Sequence, residues 1–556
     1  MFHLLCILFA VGQAILQPQS VPHTEGREGR LYSKEKDELD LPTWYDIRNL
    51  YDWNYASTMK NQDIPNYCDA SWAFSATSAV ADRLRLKVTN TWQVPELATQ
   101  VLINCADSYG CQGGTPNHAY KYMAEKGIPD ETCLPYTGSE ERCIDLNICR
   151  SCTDDGYCEP VYDYNLYYVT HYGQISGEEA MRREIYYNGP ISCSIRLNSA
   201  FRSYSGGIFT NGRDAHGTHY ITIIGWGEDD LPYWIARNSW GSYWGEFGFI
   251  RIYRGANVLG VEELCYWGTP TIVSHNTTSP TKPSQRSVLK NFVSCGYPTD
   301  WTQNKPVIKS PLPWTYLNVS SLPTTYDIRN LNGHNYATPN HNQHSPQFCN
   351  SCWAQAAASA LSDRLLLRRK GKWPIIEVSA QVFLNCADGS CQGGDAASAY
   401  RYSYLYHVPD KTCQAYEGRK KTCDMQGICM DCDATGYCYH VNEYRTVAVQ
   451  EYGEVSGAEH MMAEIYARGP ITCFIVMTDE FMNYEGGIFV EHNHNYKGGH
   501  IVEVAGWGVS STGQWYWIVR NNWGEHWGER GWFRINMGGS NLLIETSCSW
   551  GVPSLD

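Results

Sequence analysis

Asn342-Gln343-His344-Ser345-Pro346-Gln347-Phe348-Cys349-Asn350-Ser351-Cys352-Trp353-Ala354 runs directly into Ala356-Ala357-Ala358, Leu361, Leu365 and Leu366. Helix formers with apolar residues at helical spacing predict a helix that opens near Cys352 and ends near Gly371. A cysteine opening a helix lies at its positive end, where thiolate is favoured over thiol. Cys352 is therefore a candidate nucleophile, although the plainer fate of any one of 23 cysteines is a disulfide. Two distant segments favour the nucleophile. His500-Ile501-Val502-Glu503-Val504-Ala505-Gly506-Trp507-Gly508 alternates as a strand does, and Tyr516-Trp517-Ile518-Val519-Arg520 predicts another that delivers Asn521-Asn522-Trp523-Gly524. Cys, then His, then Asn, with Gln343 shortly before the Cys, is far rarer than any of its members alone.

The same stretch occurs earlier, as Asn61-Gln62-Asp63-Ile64-Pro65-Asn66-Tyr67-Cys68-Asp69-Ala70-Ser71-Trp72. Gln62 to Gln343, Cys68 to Cys349, Ser71 to Cys352 and His219 to His500 are each 281 residues apart. Asn238 to Asn521 and Cys265 to Cys548 are 283 apart, so only small insertions intervene. This is a tandem duplication of 41–268 and 322–556, and two copies of that length are not a solenoid. Residues 269–321 form a linker rich in Ser, Thr, Pro and Asn that carries the sequons at Asn276 and Asn318, so an exposed, glycosylated segment is expected. Residues 17–40 are a polar, propeptide-like lead-in. Residues 1–16 are largely apolar up to Gly12-Gln13-Ala14, which predicts a signal peptide, against the alternative of a buried N-terminal segment.

At 556 residues the chain is too long for one core, and 43% hydrophobic with 18% charged residues describes folded rather than disordered protein. A net charge of −15 excludes a general nucleic-acid binder. After the signal segment no apolar run approaches a membrane span, so no transmembrane segment is expected. The cysteine content and the signal segment together predict a secreted or lysosomal protein of the secretory pathway.

The Gln, Cys, His and Asn segments resemble the papain family of cysteine peptidases over nearly the full length of both copies. Within it, the three residues His344-Ser345-Pro346 inserted before the nucleophile segment, Gly486-Gly487-Ile488 after Cys473, and the paired Trp523-Gly524 and Trp527-Gly528 resemble the cathepsin X (cathepsin Z) subgroup. The resemblance implies an α+β fold: two papain-like domains in tandem, each with a helical subdomain and a β-barrel-like subdomain around a cleft. It implies that Cys352 attacks as a thiolate paired with His500, that Asn521 orients the imidazole, and that Trp523 shields that bond from water. Gln343 and the Cys352 N–H would hold the oxyanion, and Gly393 and Gly394 would pair with an extended substrate. His344 would bind the terminal carboxylate of the substrate, making the second copy a carboxypeptidase; an exposed loop histidine and an endopeptidase are the alternative. No cofactor or metal is implied; peptide or protein substrates and protein inhibitors are the expected partners. Two residues depart from the pattern: Asn522 replaces a serine, and Asn350 replaces a glycine next to Ser351-Cys352.

The first copy retains Gln62, His219 and Asn238 but has Ser71 at the nucleophile position. A hydroxyl is much less acidic than a thiol of pKa about 8.5, so no resting ion pair with His219 is expected. Asp69 adds a negative charge beside it, and Asp63, in place of His344, would repel a terminal carboxylate. The first copy is expected to be an inactive pseudopeptidase, with a working serine site as the alternative.

Without Cys6, 22 cysteines remain: ten in the first copy, the same ten plus Cys352 in the second, and Cys295 in the linker. The subgroup resemblance implies Cys68–Cys111, Cys105–Cys143, Cys133–Cys149, Cys152–Cys158 and Cys193–Cys265, repeated in the second copy. Zinc at Cys149-x-x-Cys152 and Cys429-x-x-Cys432 is the competing reading. The resemblance further implies that residues 295–321 are a propeptide whose Cys295 locks Cys352 in a latency disulfide; intermolecular pairing of Cys295 is the alternative. The function expected is a cysteine-type carboxypeptidase kept as a zymogen, against a non-catalytic peptide-binding or structural protein whose site stays permanently latent.

Overall fold

In each copy a long helix, Ser71–Lys87 or Cys352–Arg368, forms the spine. Every residue from Cys352 to Leu366 is buried, so the helix cannot show the usual polar face. Its many Ala and Ser residues let neighbours approach from all sides. It packs on helices Ala380–Cys386 and Ala396–Tyr406 and on strand Gly498–Val509. The structure, a computed structural model, describes residues 40–87, 95–273, 294–539 and 541–555. The expected signal segment, the lead-in and Asn276 lie outside these residues; Asn318 is exposed, ahead of the turn Val319–Ser321.

The second-copy sheet has nine strands, in the order Val408–Pro409, Thr446–Val455, Cys548–Leu555, Ile471–Met477, Gly498–Val509, Trp515–Arg520, Trp532–Asn536 and Ile488–Phe489, with Tyr326–Asp327 added on Gly498–Val509. The first-copy sheet has eight in the corresponding order. Pairing is antiparallel except at the edge pair Ile488–Phe489 with Trp532–Asn536, and its first-copy equivalent. Among the described residues neither ladder returns from one edge strand to the other, so the barrel-like subdomain of each copy is not a closed barrel. The short strand Tyr326–Asp327 crosses so closely that a Cβ at Gly506 would lie 2.1 Å from the Tyr326 carbonyl oxygen. Gly225 meets Tyr45 in the same way. Only glycine admits that approach.

Buried ion pairs tie the spine helix to the sheet. Asp363 lies 2.9 Å from Arg520 and accepts from Thr338 N at 2.7 Å; Arg520 also meets Glu503 at 3.0 Å. In the first copy Asp82 pairs with Arg237 at 2.9 Å, but Thr222 stands where Glu503 does. Removing one partner of a buried pair costs about 3–5 kcal/mol because the other charge is stranded. Asp82→Ala should therefore destabilise its copy by about that amount, and Asp363→Ala by less, since Glu503, whose pKa is raised by burial and by Asp363, ionises more readily beside Arg520 once Asp363 is gone. Urea unfolding of each variant checks the order.

The two copies pack together within one compact unit, Leu41–Asp556, through equivalent contacts. Asn61 Nδ2 donates to Thr412 O at 2.9 Å, and Asn342 Nδ2 to Thr132 O at 3.0 Å. Ser242 N donates to Thr412 Oγ1 at 2.9 Å, and Glu525 N to Thr132 Oγ1 at 2.8 Å.

The cysteines pair as Cys68–Cys111, Cys105–Cys143, Cys133–Cys149, Cys152–Cys158 and Cys193–Cys265, and as Cys349–Cys391, Cys386–Cys423, Cys413–Cys429, Cys432–Cys438 and Cys473–Cys548. This coincides with the pairing the resemblance implies. Cys149 and Cys152 enter separate disulfides, as do Cys429 and Cys432, which removes the thiolates a zinc site would need. Such a framework fits the oxidising secretory pathway. No helix among the described residues is long and apolar enough to cross a membrane.

Candidate active site

Cys352 is the first residue of its helix, after Ser351 at the N-cap. Helix N-termini leave their first N–H groups without intrahelical acceptors, so the Cys352 N–H points where an oxyanion can be held. His500 lies on the facing strand Gly498–Val509. Its Nε2 is 2.8 Å from Asn521 Oδ1, which also accepts from Asn522 N at 2.9 Å. An amide oxygen only accepts, so Nε2 carries the proton and the Nδ1 lone pair faces the cleft. The Trp523 ring lies over the imidazole with centroids 5.0 Å apart. Burial pulls the His500 pKa down to about 4, although the Asn521 bond works the other way. The ring is therefore neutral at pH 7.

The sulfur facing Nδ1 is that of Cys295, at 3.0 Å, and Cys295 is disulfide-bonded to Cys352. All three residues are fully buried. With the Cys352 sulfur in a disulfide there is no thiolate here, and the neutral imidazole matches that state. The linker continues across the cleft. Cys295 N and Gly296 N donate to Gly499 O at 3.0 and 3.1 Å on the sheet side. On the other wall Gly394 N donates to Cys295 O at 3.2 Å and Tyr297 N to Gly394 O at 3.1 Å, so Gly394 pairs with the linker as a strand residue would, while Gly393 pairs with Ser390. Farther along, Val307 bridges to Tyr452, Lys309 N and Ser310 N donate to Glu451 Oε2, and Trp314 stacks on His460.

Gln343 is buried beside this group; its N donates to Asn522 O at 2.9 Å and its Nε2 to Cys349 O at 3.4 Å. His344 is buried too, parallel to the rings of Phe348 and Trp523 at 5.0 and 6.0 Å. Burial, then His500 and His526, bring its pKa down to about 3. Its Nε2 is buried with no hydrogen-bond partner among the described residues.

Two contributors escaped the sequence reading. The Asn522 side chain donates to Cys352 O at 3.4 Å and to Ile501 O at 3.2 Å, joining the helix wall to the sheet wall. Tyr416 OH donates to Gln343 O at 2.9 Å and lies 2.6 Å from Ser351 Oγ, fixing the nucleophile loop against the glutamine. The repetition of Tyr136 as Tyr416 was the available signal. Asn350 keeps the backbone bond that Asp69 makes in the first copy, Asn350 N to Cys391 O and Asp69 N to Cys111 O, so the loop runs alike in both.

In the first copy His219 Nε2 is 2.7 Å from Asn238 Oδ1, and burial lowers its pKa to about 4. Gln62 Nε2 donates to Cys68 O at 3.2 Å and its Oε1 accepts from Ser239 Oγ at 2.7 Å. Ser71 Oγ accepts from Tyr220 N at 3.3 Å. The His–Asn pair is thus intact, while the hydroxyl's hydrogen bond among the described residues is to backbone. Asp63 is buried, and its pKa is raised by burial and by the nearby carboxylates of Asp431 and Asp69.

Over 252 residues the chain is 44% identical to cathepsin Z of Onchocerca volvulus, covering 43% of this chain and 82% of that one. Cathepsin B-like cysteine proteinase 6 of Caenorhabditis elegans is 30% identical over 270 residues, covering 44% and 70%. Among solved structures, procathepsin B S9 of Trypanosoma congolense is 27% identical and covers 44% of this chain and 82% of its own, with a TM-score of 0.37. The papain family cysteine protease profile matches residues 41–269 and again 322–552. The chain, matched in both halves, belongs to the papain family of cysteine proteases.

Proposed function

We propose that the second copy is a cysteine-type carboxypeptidase removing single C-terminal residues, latent until the Cys295–Cys352 bridge is reduced, and that the first copy is a pseudopeptidase. The observation that carries this reading is the Cys295 sulfur held between Cys352 and His500 Nδ1. Two thiol equivalents of a reductant open the bridge, forming the reductant's disulfide and two protein thiols. Cys352 then gives its proton to His500 Nδ1, and the thiolate attacks the carbonyl of the last peptide bond. The Cys352 N–H and Gln343 Nε2 hold the oxyanion, at roughly 3 kcal/mol per donor. The imidazolium protonates the leaving amine; water, deprotonated by the same ring, then hydrolyses the thioester and frees Cys352. Gly393–Gly394 pairs with the substrate backbone, and His344 receives its terminal carboxylate. A carboxylate beside the buried His344 ring favours the imidazolium, offsetting the burial.

Peptide or protein substrates follow from the family; the single-residue specificity rests on His344. In the first copy the hydroxyl of Ser71, which makes no hydrogen bond to His219 among the described residues, supports inactivity. The eleven disulfides among the described residues support a secreted or lysosomal destination. The test is a thiol-directed peptidyl probe applied to the full chain. Cys352 should be labelled only after reduction, and the reduced protein should shorten peptides by one residue at a time. Labelling without reduction, or an unlabelled Cys352 after it, overturns the latent-enzyme reading.

A further inference from the structure

The backbone that presents His344 is anchored by the other copy. Asn342 is the pivot: its Nδ2 donates to Thr132 O of the first copy at 3.0 Å, and its Oδ1 accepts from His344 N at 3.0 Å. Asn342 is buried, so both bonds are made away from water, where losing one strands a polar group. Thr132 is itself fixed, since its N donates to Asp130 Oδ1 at 2.9 Å and its Oγ1 accepts from Glu525 N at 2.8 Å. Glu525 sits just past the Asn521–Trp523 segment, so one first-copy residue braces both sides of the cleft.

A second anchor has no counterpart. His344 O accepts from Cys152 N at 3.1 Å, and Cys152 belongs to the hairpin Arg150–Cys152 and Cys158–Pro160 of the first copy. In the reciprocal position Cys432 N is occupied by its own neighbour, donating to Asp431 Oδ1 at 2.9 Å. The first copy has Ser151 where the second has Asp431, which leaves Cys152 N free to donate across the interface. The Asn–Thr contacts and the sulfur contacts of Cys152 with Pro346 O and of Cys432 with Pro65 O are thus symmetric, but among the described residues the backbone hairpin-to-loop bond is made only towards the loop that carries a histidine.

We propose that the first copy is a specificity element of the second: Thr132 and Cys152, acting through Asn342 and the His344 carbonyl, position the His344 imidazole to receive a C-terminal carboxylate. This rests on the carboxypeptidase reading, and gives the inactive copy a role in the reaction of its neighbour. Asn342, Ser151 and Thr132 are positioning residues, since none touches the substrate.

The test uses the full chain after reduction and measures kcat/KM for a peptide with a free C-terminal carboxylate and for its C-terminal amide. Asn342→Asp keeps an acceptor for His344 N but sets a carboxylate oxygen against Thr132 O. Ser151→Asp offers Cys152 N the acceptor that Asp431 gives Cys432 and so draws it from His344 O. Each variant should lower the acid-to-amide ratio roughly tenfold, mostly through KM of the acid, with turnover of the amide kept. A merely structural role would slow both substrates equally. Equal losses on both, or an unchanged ratio in both variants while the parent still prefers the acid, overturns the proposal and leaves the carboxypeptidase reading standing. If the parent shows no preference for the acid, and His344→Ala changes nothing, that reading fails and the proposal with it. Thermal midpoints show whether either variant is misfolded, in which case the other decides.

Discussion

Cys352→Ala should lower peptide turnover by the reduced, full-length chain by on the order of 10⁴-fold or more, because removing a nucleophile forfeits the covalent route altogether. Ser71→Ala should leave the same turnover unchanged. The contrast follows from the two sites on one chain. Both keep the His–Asn pair, His500 with Asn521 and His219 with Asn238, at 2.8 and 2.7 Å. Both histidines are buried and neutral. A thiol is acidic enough to pass its proton to a paired imidazole, but a serine hydroxyl must be aimed at the ring, and among the described residues Ser71 Oγ makes its hydrogen bond to Tyr220 N and none to His219. Activity surviving Cys352→Ala and disappearing with Ser71→Ala would reverse the assignment of the two copies.

Cys295→Ser should remove the need for reductant. The unreduced variant should be labelled at Cys352 by a thiol-directed probe where the parent protein is not. The bond it removes spans 57 residues, and closing a loop of that length accounts for about 4 kcal/mol in the chain-entropy view. The segment would still be held by its backbone bonds to Gly394 and Gly499. Labelling should therefore be slower than in protein whose linker has been cut between the copies. A variant as silent as the parent without reductant would show that the covering segment, not the sulfur bridge, imposes latency.

Much of this architecture was readable because its signals are local. The helix behind Cys352 announces itself by Ala and Leu spacing, the strand of His500 by alternation, and the duplication by near-constant offsets. The observed helix stops at Arg368; Lys370 takes the left-handed conformation, with φ of +56°, that terminates it, and Gly371 N then donates back to Leu366 O at 2.9 Å. What was not readable joins residues far apart in the chain without any periodic trace. Asn342 and Thr132 are 210 residues apart, and nothing in either neighbourhood marks them as partners. Asn522 looked like a minor departure from a family pattern; only the meeting of two walls shows it bonding to Cys352 O and Ile501 O. The exchange of Ser151 for Asp431 is one letter in a hairpin until the acceptor of each following amide is known.

The backbone ladder between Cys295–Tyr297 and Gly394 has a kinetic consequence. A diffusing peptide entering this cleft meets a rival that cannot leave, because the rival is covalently continuous with the protein on both sides. Intramolecular ligands of this kind act at effective concentrations on the order of millimolar. Severing the sulfur bridge alone would therefore yield an enzyme whose apparent affinity for substrate is depressed by self-competition. Proteolysis both upstream of Ser294 and downstream of Ser321 would let the occupant depart, so the output would require reducing power and a processing protease together.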